Sequence, residues 1–176
     1  MSNADTLADI DLKVRPISQH GVIDLPTTVK NNACWYAAAM MVLNYRCPLL
    51  SLELVNMRTI ARKLANEGLQ SNYLRQFAAE VGLEHAPAKQ LFPRIVAEEW
   101  HAALSRLGPL MVVINRHLVV VRGLRMRDGD WELVYNDPFV GAAVSKAVWR
   151  FNCDVDWNLP MLYLSSVHRP PLLAAG

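Results

Sequence analysis

Between Asn31 and Tyr45 the chain reads NNACWYAAAMMVLNY, and this stretch decides the fold. Three consecutive alanines beside methionine and leucine favour an α-helix, and a helix that is apolar on every side lies in the interior of a domain. We therefore predict a buried helix that Asn31 or Asn32 caps and that Pro48 stops. Cys34 lies in the first turn of this helix.

The spacing of apolar residues changes along the chain. Apolar residues recur at helical spacing in the first half, whereas short β-branched runs, typical of buried strands, follow in the second half. Helices are predicted over residues 51–66, 71–81 and 94–107, strands over 110–114, 118–121, 131–135 and 161–164, and irregular structure over 149–157. Helices followed by an antiparallel sheet make the predicted fold class α+β.

Length and composition limit the size of the fold and its partners. The chain has 176 residues, the usual size of one domain. Its 18 Lys and Arg against 16 Asp and Glu give a net charge of +2, too small to attract nucleic acid or an anionic membrane. The longest apolar run, Ala33 to Leu43, is shorter than the ~20 residues of a transmembrane helix. We expect a lead-in segment over 1–24, in which residues 2–4 resemble an expression tag, one domain over 25–166 and a tail over 167–176.

The three cysteines, Cys34, Cys47 and Cys153, cannot all pair with one another. No two of them have the spacing of a zinc site, so neither a metal site nor a disulfide framework is predicted. Cys47 and Cys153 are interpreted as ordinary thiols. Cys34 differs because the positive end of the helix dipole and the unpaired N–H groups of the first turn favour a thiolate there. The same N–H groups can donate to an oxyanion that forms beside the sulfur.

His117 stands at the start of an otherwise apolar strand. An imidazole there suits a general base or an ion-pair partner for a thiolate, with its tautomer set by a third group. Asn136 and Asp137 end the following strand, and the hairpin register decides which of them faces His117. A three-residue turn ending at Gly129 places Asp137 opposite Val119, on the face of His117, whereas a two-residue turn puts Asn136 there. Both residues remain candidates at this point.

Three patches of the sequence resemble papain-like cysteine peptidases. NNACWYAAAMM, from residue 31, resembles their nucleophile helix, in which Cys-Trp precedes small residues. GPLMVV from residue 108 and HLVVVRG from residue 117 resemble the histidine strand, and VYNDPF from residue 134 resembles the acidic strand end of bacterial members. Among bacterial members of this family, the sequence resembles the bacteriocin-leader-processing peptidases and the effector peptidases that plant pathogens inject. Over residues 25–165 the resemblance implies a papain-like fold, with the nucleophile on a buried helix packed against an antiparallel sheet.

The same resemblance implies roles for individual residues. It makes Cys34 the nucleophile, His117 the base and Asp137 the group that orients the histidine, with Asn136 as the alternative third member. The thiolate would attack an amide carbon of a protein or peptide substrate and form a thioester that water hydrolyses. No metal or organic cofactor is implied.

One position departs from the family pattern. Many members carry a glutamine about six residues before the nucleophile, where its amide completes the oxyanion hole, and Thr28 stands there in this sequence. Asn31, Asn32 or Thr28 itself would then supply the side-chain donor, with the backbone N–H of Cys34 as the other.

Two other functions stay open on the sequence. A glutamine deamidase or acyltransferase of the same fold runs the same thioester chemistry with another acceptor. A papain-like domain without catalysis would bind peptides in the cleft, a reading that the threonine at position 28 favours. By analogy with the family, we expect the protein in the bacterial cytoplasm, or secreted as an effector or toxin by a route that needs no signal peptide.

Overall fold

The structure is a computed structural model, and it describes residues 7–21, 32–46 and 69–164. The described residues form seven strands in one antiparallel sheet. The strand order across the sheet is β2-β7-β3-β4-β5-β6, and β1 pairs with β4. The strands are β1 (Ile10–Asp11), β2 (Glu84–Pro87), β3 (Leu110–Ile114), β4 (His117–Arg127), β5 (Asp130–Asp137), β6 (Ala142–Ala147) and β7 (Pro160–Tyr163).

Helices cover both faces of this sheet. In the described residues they are α1 (Cys34–Arg46), α2 (Leu74–Val81), α3 (Ala88–Leu91), α4 (Ala97–Leu107) and α5 (Val148–Asp154). Along β4, Leu118 and Val120 pack with α1 and α2, whereas Val119 and Val121 pack with α4 and α5, because successive strand side chains point to opposite faces. A strand buried on both faces carries a continuous apolar run, which is the pattern of this segment.

Helix α1 is the buried helix that the sequence predicts. Its side chains from Trp35 to Leu43 are buried, and the ring of Trp35 meets Phe77 of α2 edge-on, with 5.4 Å between ring centroids. The predicted asparagine cap is wrong. The carbonyl of Ala33 accepts the hydrogen bond from the N–H of Ala37 at 3.1 Å, so Ala33 holds the capping position. Its complete burial leaves no place for a polar side chain there.

Two further predicted helices are present with later starts. The one over 71–81 opens with a 3₁₀ turn, Ser71–Tyr73, before α2. The one over 94–107 begins at Ala97, because Ile95 has a left-handed φ of 59° and the Glu99 carboxylate accepts hydrogen bonds from the backbone N–H groups that precede the helix. The predicted helix over 51–66 lies outside the described residues.

Several elements differ from the sequence-based expectation. The segment 149–157 is not irregular throughout, because α5 extends to Asp154 and buries Val148 and Phe151, one turn apart. Strands β2 and β6 are absent from the prediction. The first ends in Pro87 and the second reads AAVSKA, and each lies at an edge of the sheet, where β-branched runs are not required.

Candidate active site

Cys34 opens onto a cleft at the N-terminus of α1. The cleft has a volume of about 740 Å³, and the Cys34 side chain is half-buried at its wall. The first N–H groups of a helix have no partner within the helix, so the sulfur lies at the positive end of the α1 dipole. The lining residues are Asn32, Cys34, Leu69, Gln70, Ser71, Asn72, Leu74, Val113, Arg116, His117, Leu118, Asp156 and Leu159.

His117, the first residue of β4, joins Cys34 to Asp137. Its Nε2 lies 2.7 Å from Oδ1 of Asp137, and its ring lines the same cleft as Cys34, close enough for Cys34 to act on its pKa. The side chains of His117 and Asp137 are only 25% and 18% exposed, so the pair is largely shielded from water. Three side chains from one helix and two strands thus come together at the wall of the cleft.

The surroundings of His117 favour its charged form. Burial alone lowers the pKa of the imidazole, but the hydrogen bonds to Cys34 and Asp137, together with their negative charges, outweigh burial and raise the pKa from 6.5 to about 8. At neutral pH the ring is therefore an imidazolium, which is the partner that a cysteine thiolate needs.

The hairpin of β4 and β5 contains both registers that the sequence allows. At its tip, Asp128 and Gly129 form a two-residue turn with φ of 51° and 88°, and the flanking pairs follow that turn. If this register continued along the strands, Asn136 would lie on the face of His117.

A β-bulge changes the register before the strands reach the cleft. The pairing shifts by one residue between Val121 and Gly123, and beyond the shift Val120 pairs with Asn136. This is the register that a three-residue turn would have produced, and it turns Asp137 toward the histidine. The bulge therefore decides which of the two candidate residues meets His117.

Asp137 is fixed by the turn that follows it. Its Oδ1 accepts a hydrogen bond from the backbone N–H of Phe139 at 2.8 Å, and its carbonyl accepts one from the N–H of Gly141 at 2.8 Å. The same carboxylate oxygen thus receives hydrogen bonds from the turn and from His117, and its position is set from two sides.

Asn136, the alternative third member, is used elsewhere. Its side chain is completely buried, its Oδ1 accepts a hydrogen bond from Nε of Arg122 at 3.1 Å, and its Nδ2 donates to the carbonyl of Val14 at 2.9 Å. The structure brings Asp137 to His117 and directs Asn136 to the opposite side of the strand.

Asn32 is the one predicted oxyanion donor within the described residues, and it lines the cleft beside Cys34. Thr28 and Asn31 lie outside the described residues, as does Cys47, and Cys153 is an exposed thiol on α5.

The sequence does not single out Gln19 or Arg122, both of which the structure ties to the strand end at Asp137. Gln19 is a buried polar residue in a 3₁₀ turn against α1, and its backbone N–H donates to the carbonyl of Pro138 at 2.9 Å. The sequence could have pointed to Gln19 because it is a glutamine that precedes the nucleophile. However, it lies much farther from Cys34 than the six residues of the family pattern. For Arg122 the signal is an arginine that interrupts the apolar run of β4.

Within the described residues, no helix is long and apolar enough for a membrane span. The same residues contain no group of three or more His, Cys, Asp or Glu side chains arranged to hold a metal ion.

Comparisons with known proteins bear on the family and the fold. Residues 19–156 match a protein family described as papain-like cysteine protease AvrRpt2. Among solved structures, the fold is similar to that of UfSP from C. elegans, with a TM-score of 0.54 and 11% sequence identity over 88% of this chain and 33% of that one. The chain thus spans about a third of the length of that solved chain. A search of curated proteins finds no match.

Proposed function

The chain belongs to the family of papain-like cysteine proteases described as AvrRpt2, and from that premise we propose that Cys34, His117 and Asp137 form its catalytic triad. The family and the fold make the protein a cysteine peptidase with the papain-like α+β architecture that the sequence motifs predict. The observation that carries the assignment of residues is that His117 is hydrogen-bonded to Asp137 and lines the same cleft as Cys34 at the N-terminus of α1.

In the proposed reaction the Cys34 thiolate attacks the carbonyl carbon of the scissile amide. The S–C bond forms, and the carbonyl oxygen becomes an oxyanion at the positive end of α1. The His117 imidazolium gives its proton to the leaving nitrogen, the C–N bond breaks, and a thioester remains on Cys34. Water then gives a proton to His117 as its oxygen attacks the thioester, the S–C bond breaks, and the acid product leaves while the ion pair is restored.

Asp137 acts on this cycle through His117. Its carboxylate bonds Nε2, which leaves Nδ1 as the ring nitrogen for the sulfur. A fixed carboxylate keeps the ring oriented while the imidazole gains and loses a proton, and it stabilises the imidazolium.

Two donors stabilise the oxyanion in this proposal. The backbone N–H of Cys34 is one, because it belongs to the unpaired first turn of α1. The side chain of Asn32, beside Cys34 in the cleft, is the other. Replacing a side-chain donor of this kind costs about 2.7–4 kcal/mol of transition-state stabilisation. Thr28 and Asn31 stay predictions for the same role.

The substrate class follows from the family. A protease acts on a protein or peptide, and the open cleft presents Arg116 and Asp156 together with apolar side chains to it. We place the enzyme in the bacterial cytoplasm, or outside the cell as an effector or toxin exported without a signal peptide, by family analogy.

The test is a digestion of a proteome-derived peptide library followed by mass spectrometry. The active protein is compared with Cys34→Ala, and with Cys153→Ala as the matched cysteine control. We expect new peptide ends with the protein and with Cys153→Ala, and none with Cys34→Ala.

Each other outcome of the digestion is informative. Glutamine-containing peptides that gain about one dalton without cleavage would identify a deamidase that uses the same thioester step. Cleavage that survives Cys34→Ala would overturn the assignment of the nucleophile. Binding of peptides without either change would identify a peptide-binding domain.

A further inference from the structure

The segment from Asp9 to Gln19, here called the 9–19 segment, is built into the sheet beside the proposed triad. Its residues Ile10 and Asp11 pair with β4 across Leu124 and Gly123. The N–H of Leu12 donates to the carbonyl of Arg122 at 2.9 Å. The contacts therefore concentrate on the β-bulge that sets the register of β5.

Arg122, the residue at this bulge, connects the 9–19 segment to β5. Its Nε donates to Oδ1 of Asn136 at 3.1 Å, while Nη1 bonds the carboxylate of Asp11 and the carbonyl of Leu12 at 3.3 Å. The Asn136 amide completes the connection by donating to the carbonyl of Val14 at 2.9 Å. Asn136 is completely buried and the Arg122 side chain is only 16% exposed, so their hydrogen bonds favour one arrangement of the chain, since another would leave these groups unpaired.

The backbone of Gly123 permits this close approach. A Cβ atom at this position would lie 2.6 Å from the carbonyl oxygen of Ile10, a distance at which the segment would have to move. The 9–19 segment can therefore lie against the bulge only because a glycine follows Arg122.

The same segment holds both neighbours of Asp137. Val14 receives the side chain of Asn136 on one side, and the N–H of Gln19 donates to the carbonyl of Pro138 on the other at 2.9 Å. If β5 kept the register of the hairpin tip, the strand end would slip by one residue and Asp137 would turn away from His117. Asn136 would then take its place.

We propose that Arg122, Asn136 and the 9–19 segment are positioning elements of the enzyme: they lock the bulged register that holds Asp137 against His117. This inference rests on the proposed triad. The 9–19 segment, which lies outside the cleft, thereby has a role in the reaction, because it fixes Asp137, the residue that orients His117.

A double-mutant cycle tests whether Arg122 acts through Asp137. The variants are Arg122→Met, Asp137→Asn and their combination, and the readout is the NMR titration of the His117 ring, which needs no substrate. The charged groups that face His117 are Cys34 and Asp137, and Arg116 lines the same cleft. We expect each single variant to move the titration midpoint down from about 8, and the double variant to go no lower than Asp137→Asn.

Catalysis gives a second readout on peptides cleaved in the library digestion. Misplacement of a positioned group by about 1 Å costs on the order of 100-fold in rate. We expect Arg122→Met to lower kcat by up to this factor with KM unchanged, because Arg122 does not touch substrate. In the Asp137→Asn background, the same substitution should change kcat by no more than about twofold.

Arg125→Met is the matched control. Arg125 lies on the same strand and bonds Glu132 and Ser145 at 3.0–3.2 Å, but farther from His117. It should lower the melting temperature less than Arg122→Met, because the Arg125 side chain is 42% exposed and that of Arg122 only 16%, and it should leave the His117 midpoint and kcat unchanged. If Arg122→Met does not fold, Gly123→Ala takes its place, since the added Cβ displaces Ile10.

The outcomes separate this inference from the triad itself. An effect of Asp137→Asn without any effect of Arg122→Met or Gly123→Ala overturns the positioning role and leaves the triad intact. No effect of Asp137→Asn overturns the assignment of Asp137, and with it this inference. Fully additive losses in the double variant would show that Arg122 acts independently of Asp137, and they would overturn the positioning role.

Discussion

The charge on His117 depends on Asp137, and the substitution Asp137→Asn isolates that dependence. The amide of asparagine has nearly the shape of the carboxylate and keeps an oxygen for Nε2, but it carries no charge. In the wild-type protein, burial opposes the imidazolium, while hydrogen bonds and charges from Cys34 and Asp137 together raise the pKa to about 8. Removing one of these two anions leaves burial opposed by Cys34 alone, so the pKa of His117 falls.

The structure sets the size of this effect. The difference between 6.5 and about 8 corresponds to about 2 kcal/mol in favour of the imidazolium. The contributions of Cys34 and Asp137 together exceed this net value, because they also offset burial. Asp137 accounts for about half of them, so its share is at least about 1 kcal/mol. The pKa of His117 in Asp137→Asn is therefore expected at about 7 or below.

The stability of the fold follows the same titration. Because the pKa of His117 is raised on folding, its contribution of about 2 kcal/mol is fully present below pH 6.5 and is lost as the pH rises through about 8. Chemical unfolding at pH 6 and pH 9 measures this contribution. The stability difference between the wild-type protein and His117→Ala should shrink by about 2 kcal/mol between these two pH values.

NMR titration of the imidazole ring, in the wild-type protein and in Asp137→Asn, is the direct assay. In parallel, kcat/KM of the wild-type enzyme should fall as the pH rises through about 8, because the imidazolium that donates to the leaving group is lost. The falling limb should move to lower pH in Asp137→Asn. A wild-type midpoint near 6.5, or a midpoint that Asp137→Asn leaves in place, would refute the reasoning.

Three further predictions concern the stability of the fold. Arg116 has a left-handed φ of 65°, a conformation that glycine adopts more easily, so Arg116→Gly should raise the free energy of unfolding by about 0.5–1 kcal/mol. A lower melting temperature of this variant would contradict this account of strain. Glu99 accepts backbone hydrogen bonds at the start of α4, so Glu99→Gln should cost about 1–2 kcal/mol; equal urea midpoints would argue against that cap. Phe77 is completely buried against Trp35, and Phe77→Ala should cost about 3–5 kcal/mol in denaturant unfolding, whereas a loss under 1 kcal/mol would show that the core refills the space.

The sequence predicts the parts of this fold that depend on local pattern. The apolar run after Ala33 predicts α1, because a helix that is apolar on every side is buried, and the nine residues from Trp35 to Leu43 are buried in the structure. The histidine at the head of an apolar strand and the Cys-Trp pair then identify two members of the proposed triad. Each of these signals lies within a few residues of the group that it identifies.

The third member needs information that no local pattern contains. The turn that ends at Gly129 allows two registers, and the bulge between Val121 and Gly123 decides between them. The contacts beside this bulge join Arg122 to Asp11 and Asn136 to Val14, partners that are more than a hundred residues apart in sequence. Strand β1 has only two residues, too few to be predicted from a local pattern, and it forms by pairing with Gly123 and Leu124 of β4 beside that bulge. Tertiary contacts of this kind decide between Asn136 and Asp137, and for that reason the sequence leaves the choice open.

The most direct test of the central claim is the rate of alkylation of Cys34 by iodoacetamide at pH 6, followed by peptide mass spectrometry. The exposed thiol of Cys153 serves as the internal reference in the same sample. If His117 holds Cys34 as a thiolate, Cys34 should react about 10–100-fold faster than Cys153, and His117→Ala should abolish the difference. Equal rates at the two cysteines, or a fast Cys34 in His117→Ala, would contradict the proposed nucleophile and its ion pair.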